Sequence, residues 1–97
     1  MAYPKAGKKH DDGKLRWDLL PLDQIEHIVE VLTFGAKKYT ANNWQLVENA
    51  EERYFAALMR HLTELRKGNT YDKESGLKHT AHALCCMMFI LWFEDQR

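Results

Sequence analysis

The chain has 97 residues, a formal net charge of zero and 29% charged residues. That length fits one domain with a single small core and little surplus stability, so association with other copies is expected. A neutral chain has no global positive field to hold bulk nucleic acid by counterion release, which leaves only local basic patches. The two cysteines, Cys85 and Cys86, are adjacent. Helical neighbours point apart, so an intrachain disulfide is not expected and a reducing, cytoplasmic setting fits best.

The opening "MAYPKAGKKHDDGK" has no apolar core and does not resemble a signal peptide. Residues 1–20 are expected to form an extended basic arm. Pro21 marks its end, because the residue before a proline avoids helical geometry. From there Leu22, Ile25, Ile28, Val29, Leu32, Ala36 and Tyr39 follow helical spacing. Gly35 is expected to weaken this helix or end it early. "TANNW" is turn chemistry.

A second helix follows, and Asn49 with Glu52 resembles a capping box. Tyr54, Phe55, Leu58, Leu62 and Leu65 form its expected buried stripe, and Lys67 with Gly68 signals its end. "GNTYDKESG" is a loop. The third helix is expected to start between Ser75 and Leu77 and to run to about Glu94. Its run from Ala83 to Phe93 is apolar without a break. This is shorter than the ~20 residues a membrane helix needs. It predicts a central helix, or one covered by another subunit. No strand pattern is visible. The prediction is an all-α domain: a helical hairpin, one further helix and an arm, packed as an oligomer.

On the second helix, Arg53, Ala57, Arg60 and Glu64 share one face at about 100° per residue, with His61 between that face and the apolar stripe. On the third helix, His79, His82 and Cys86 share a face. Each set has an ordinary structural explanation: an Arg60–Glu64 ion pair on a solvated surface, and histidines hydrogen-bonded near a helix entry. Zinc held by His79, His82 and Cys86 is a further alternative that needs a fourth ligand. A short loop makes the two helices antiparallel neighbours. His61 and Glu64 then approach His79 and His82, with Asp72 and Glu74 in the joining loop. Such a convergence near a helix N-terminus suits a phosphate. Lys14, Arg16, Lys37, Lys38, Arg53 and Arg60 are candidate phosphate partners. Asn43 is a further candidate ligand-binding residue. Trp17, Tyr39, Trp44 and Tyr54 are candidates to stack on a base, or core aromatics.

"DDGKLRWDLLPLD", "VLTFGAKKYTANNW", "RYFAALMRHL" and "GNTYDKESGLKHTAHALCCMMFIL" together resemble the small phage and prophage proteins classed as dATP/dGTP diphosphohydrolase N-terminal domains. The likeness runs from about Asp12 to Leu91. A more distant resemblance links the chain to the MazG-like all-α pyrophosphohydrolases, which hold magnesium with E-E-x-x-E on one helix and E-x-x-D on the next. Here "RHLTEL" keeps only Glu64 of the first motif, and "HTAHAL" puts His79 and His82 in place of both acids of the second. Mg²⁺ prefers oxygen ligands, whereas imidazole suits zinc or manganese better.

The resemblance implies hydrolysis of purine dNTPs with release of pyrophosphate, in the cytoplasm of a phage-infected host. Glu64, His61, His79 and His82 would be catalytic. Glu64, Asp72, Glu74, His79 and His82 would be candidate ligands for Mg²⁺, Mn²⁺ or Zn²⁺. Histidine acting as a base without metal stays open. So do two other roles: a non-catalytic sponge sequestering a cyclic nucleotide or other nucleotide-derived immune signal as an anti-defence device, and a purely structural helical module. The apolar third helix and the MazG-like resemblance both imply a homo-oligomer, a dimer, tetramer or larger, in which Lys14 and Arg16 reach a neighbour's pocket. No membrane partner is expected.

Overall fold

The computed structural model describes residues 6–97; residues 1–5 of the expected arm lie outside the described residues. From residue 6 to Arg16 the arm has no helix or strand and is exposed throughout. It ends in a single 3-10 turn at Trp17–Leu19. Three α-helices follow: α1 (Leu22–Lys38), α2 (Ala50–Arg66) and α3 (His79–Asp95). The fold is all-α. Among the described residues the only β feature is an isolated bridge between Tyr71 and Lys78. None of the helices is long and apolar enough to cross a membrane.

α3 is the central element, as its apolar sequence predicts: α1 and α2 each pack against it. Along α3 the small buried residues Ala81, Ala83, Cys85 and Cys86 let both neighbours approach. Val31, Ala81 and Cys85 form the α1–α3 core, with Ile28, Leu32, Met88 and Phe89 around it. Leu58, Ala83 and Cys86 form the α2–α3 core, with Tyr54, Ala57 and Ile90. The antiparallel pairing of α2 and α3 brings Arg97, just past the end of α3, onto the carboxylate of Glu51 in the first turn of α2.

Several expectations need correction. α1 continues through Gly35 to Lys38, and the amide of Tyr39 still closes onto the Gly35 carbonyl. A glycine costs about 1 kcal/mol in a helix interior, which packing on α3 outweighs here. Val31, not Val29, is the buried valine of α1. The Asn49–Glu52 capping box does not form. Asn49 is left-handed (φ 54°) and makes no side-chain cap bond, because a side-chain cap needs extended backbone at that position. Asn42 is also left-handed (φ 62°), in keeping with the asparagine-rich turn.

α3 begins at His79, later than expected. The stretch before it is tied into a loop: Asp72 N–H donates to the Leu77 carbonyl (2.7 Å), Gly76 N–H to the Asp72 carbonyl (2.8 Å) and His79 N–H to the Thr70 carbonyl (2.9 Å). Gly76 sits at φ 75°, a conformation that favours glycine. The α2 stripe is also only half buried. Leu58 is in the core, but Phe55 (54% exposed), Leu62 and Leu65 face outward.

Candidate functional site

A cleft of about 1040 Å³ lies between the C-terminal half of α1, the 40–47 loop and the α2–α3 pair. Its apolar walls include Val31, Met88, Phe89, Cys85 and Cys86; its polar walls are Lys38, Arg53, Arg60, His61, Asp72, Glu74 and His82. Burial disfavours the thiolate form of both thiols. It pushes Cys85 up to about 12 and Cys86 up to about 11.

Three histidines meet where α2 runs beside the start of α3. His61 sits on α2, one and a half turns from its end, and His79 and His82 occupy the first turn of α3. His61 Nδ1 lies 2.9 Å from His79 Nδ1. The His61 and His82 rings stack with centroids 4.5 Å apart. His79 is buried, at 6% exposure.

The loop supplies the charge. Asp72 Oδ2 accepts the Ser75 N–H and the Ser75 hydroxyl, both at 2.9 Å. Ser75 Oγ also lies 2.7 Å from His82 Nε2 and accepts the Leu77 N–H. A hydroxyl has one proton to give. With that proton on the carboxylate, Ser75 receives Nε2–H from His82, and Nδ1 is left as that ring's acceptor. Asp72, Ser75 and His82 thus form an oriented chain, with His82 Nε2 3.8 Å from the carboxylate.

This environment disfavours the charged form of His61 and His82. Burial, then the neighbouring His82 and His79, lowers His61 to about 4, with Asp72 opposing. His82 is lowered by burial, again against Asp72. For Asp72, burial alone would raise the carboxyl. The two Ser75 hydrogen bonds and the nearby histidines outweigh it and hold the group below its ordinary value.

Of the residues singled out in the sequence, His61, His82, Asp72, Glu74, Lys38, Arg53, Arg60, Asn43, Trp44 and Tyr54 all reach the cleft, and His79 reaches it through His61. The others do not. Glu64 is turned to the protein surface, where it accepts from Asn69 Nδ2 (2.7 Å) and sits 3.8 Å from Lys67. It makes no pair with Arg60, and the Asn69 bond holds its carboxyl below the usual range. Arg16 bonds Asp18 through Nε and Nη2, out on the arm. Lys14 is also on the arm, and Lys37 is exposed and does not line the cleft.

Glu74 faces Lys38 across the cleft rim at 2.5 Å, instead of joining the histidines. The zinc set with Cys86 does not assemble: Cys86 packs with Leu58 and Ala83. Trp44 stacks on Phe89 at 4.4 Å and meets Trp92 edge-on, so it is a packed wall of the cleft. Ser75 is the residue the sequence reading missed. "DKES" carried the signal, because an aspartate commonly bonds backbone and hydroxyl a few residues on.

The fold and the site define a small all-α module with a cation-walled cleft ending in neutral imidazoles. The chain belongs to the family described as dATP/dGTP diphosphohydrolase, N-terminal, which it matches over residues 4–97. It is 41% identical over 92 residues to a dATP/dGTP diphosphohydrolase of Salmonella phage PMBT28. That alignment covers 95% of this chain and 31% of the phage protein, so the chain spans about a third of its relative's length. No solved structure matches.

Proposed function

We propose that the cleft binds a purine deoxynucleoside triphosphate and hydrolyses it to the monophosphate and pyrophosphate. The observation that carries this reading is Arg60. It lines the cleft beside His61, and among the described residues it has no carboxylate partner. A guanidinium without a counterion at the mouth of a neutral imidazole cluster suits a phosphate. Arg53, whose guanidinium donates to the Glu48 carbonyl (3.3 Å), extends the same wall. Membership of the family, and the activity named for the phage relative, support the choice of nucleotide.

In this reading Arg53 and Arg60 neutralise the phosphates, the main requirement of phosphoryl chemistry. Lys38 joins them by exchanging Glu74 for a phosphate. Asn43 meets the base edge against the aromatic wall of Trp44 and Tyr54. His82, unprotonated at neutral pH and oriented by Ser75 and Asp72, takes the proton of the water that attacks the α-phosphorus.

A second reading is a nucleotide-holding protein that does not cut, a sponge for a cyclic or related signal. Its support is that Glu64 lies outside the cleft while Asp72 is engaged by Ser75 and Glu74 by Lys38. One experiment separates the two. The protein is incubated with dATP, dGTP and cyclic dinucleotides, with Mg²⁺, Mn²⁺ or Zn²⁺, and then heated. Released pyrophosphate supports hydrolysis. Intact nucleotide recovered only after heating sinks it and supports sequestration.

The module acts as a homo-oligomer in this proposal. Phe55, Met59 and Leu62 on α2, with Leu84, Met87 and Leu91 on α3, leave apolar side chains exposed on the helix pair. A second copy placed on them turns two helices into four and buries both sets.

A further inference from the structure

We propose that His61, His79 and Asp72 form a binding site for a divalent transition metal of the zinc type, with its open position facing the cleft. One ligand atom from each of the three residues lies within 4.8 Å of the other two. The two Nδ1 atoms face one another at 2.9 Å, with the rings tilted 47° rather than stacked. Donors around a tetrahedral ion with metal–nitrogen distances of about 2.0–2.1 Å stand roughly 3.4 Å apart, so a small outward adjustment seats an ion between the rings. The ion takes the place of the proton shared by the two nitrogens, and that proton moves to Nε2 of its own ring, so both imidazoles stay neutral ligands.

The donor set selects the metal. Two imidazoles and one carboxylate are the ligands of an open zinc-type site. Magnesium needs mostly oxygen and finds one carboxylate here. The supports are in place before any ion arrives. His79 is buried in the first turn of α3, with its backbone amide on the Thr70 carbonyl. Asp72 is aimed by Ser75, which also meets His82. Such outer partners hold the ligands of metal sites in orientation. This inference stands on side-chain geometry and does not depend on the nucleotide reading.

The test is metal binding without nucleotide. Chelator-stripped full-length chain is titrated with Zn²⁺ by calorimetry and with Co²⁺ by visible absorption. The expected result is one ion per chain, a tetrahedral cobalt spectrum and no displacement by millimolar Mg²⁺. His61→Gln and Asp72→Asn, both at partly exposed positions, should each weaken zinc binding at least tenfold while circular dichroism stays helical. Zinc binding that survives in both variants, or that Mg²⁺ displaces, overturns the proposal. A readout on the unaltered protein covers a variant that fails to fold. Zinc should shift the imidazole nitrogen resonances of His61 and His79, and unshifted resonances overturn it equally.

Discussion

His61 and His82 stack face to face, with ring centroids 4.5 Å apart and planes 8° from parallel. Two imidazolium rings in that arrangement would repel each other, and burial already opposes charging either one. The folded chain holds His61 near 4, against an ordinary 6.5. Between about 4 and 6.5 the unfolded chain therefore binds more protons than the folded chain, and stability climbs with pH across that window. The contribution is complete above it and disappears as the pH falls. The depression of His82 acts in the same direction. Because His61 is partly exposed, solvent screening reduces the effect to the order of 1–2 kcal/mol. Urea midpoints should rise from pH 4 to pH 7, and His61→Gln should flatten that rise. An unchanged slope in the variant would show that other groups set it.

Arg60→Ala should weaken dATP or dGTP binding about 10- to 100-fold, the scale of a lost hydrogen bond to a charged group. The melting temperature should barely move, since Arg60 is exposed and makes no ion pair among the described residues. Lys37→Ala, outside the cleft, is the matched control. Equal losses from both would point to diffuse charge and not to a cleft.

Ser75→Ala removes one hydroxyl that serves Asp72, His82 and the Leu77 amide together. Leaving partly buried groups unpaired costs about 1–3 kcal/mol. For a domain of this size each kilocalorie lowers the melting temperature by roughly 4–8 °C. A scan showing no drop would mean that water replaces the hydroxyl without loss.

Met87→Lys places a charge among the exposed apolar residues of α2 and α3. Light scattering should find the unaltered chain as a dimer or larger, and the variant as a monomer of unchanged helicity. A monomeric parent would remove the self-association proposal.

Glu64→Ala should leave nucleotide binding and turnover within about twofold, because its carboxylate is held at the surface by Asn69 and Lys67. A collapse of turnover in this variant would place Glu64 back at the chemistry.

The three helices were legible because their apolar spacing is regular and their loops are rich in asparagine and glycine. The convergence of His61, His79, His82 and Asp72 was legible for a related reason, since a short loop forces antiparallel neighbours. What escaped was decided by side-chain choice within a turn. Glu64 is one turn from His61, yet Asn69 draws its carboxylate outward. Asn49 has capping chemistry but a left-handed backbone that cannot use it. Helical spacing marks Phe55 and Leu62 as buried, yet in this chain both are exposed, because spacing gives a face and not what packs on it.

α1 is held through its packing on α3, whereas α2, the 67–78 loop and α3 form a continuous hairpin of local contacts. Local contacts form early in folding, and long-range docking comes later. The hairpin is therefore the natural nucleus, and α1 the last piece to settle and the first to detach. In hydrogen exchange the amides of α1 should open at lower free energy than those of α3. If the exchange order holds, one wall of the cleft is the helix that opens first, while the histidines sit on the hairpin that opens last.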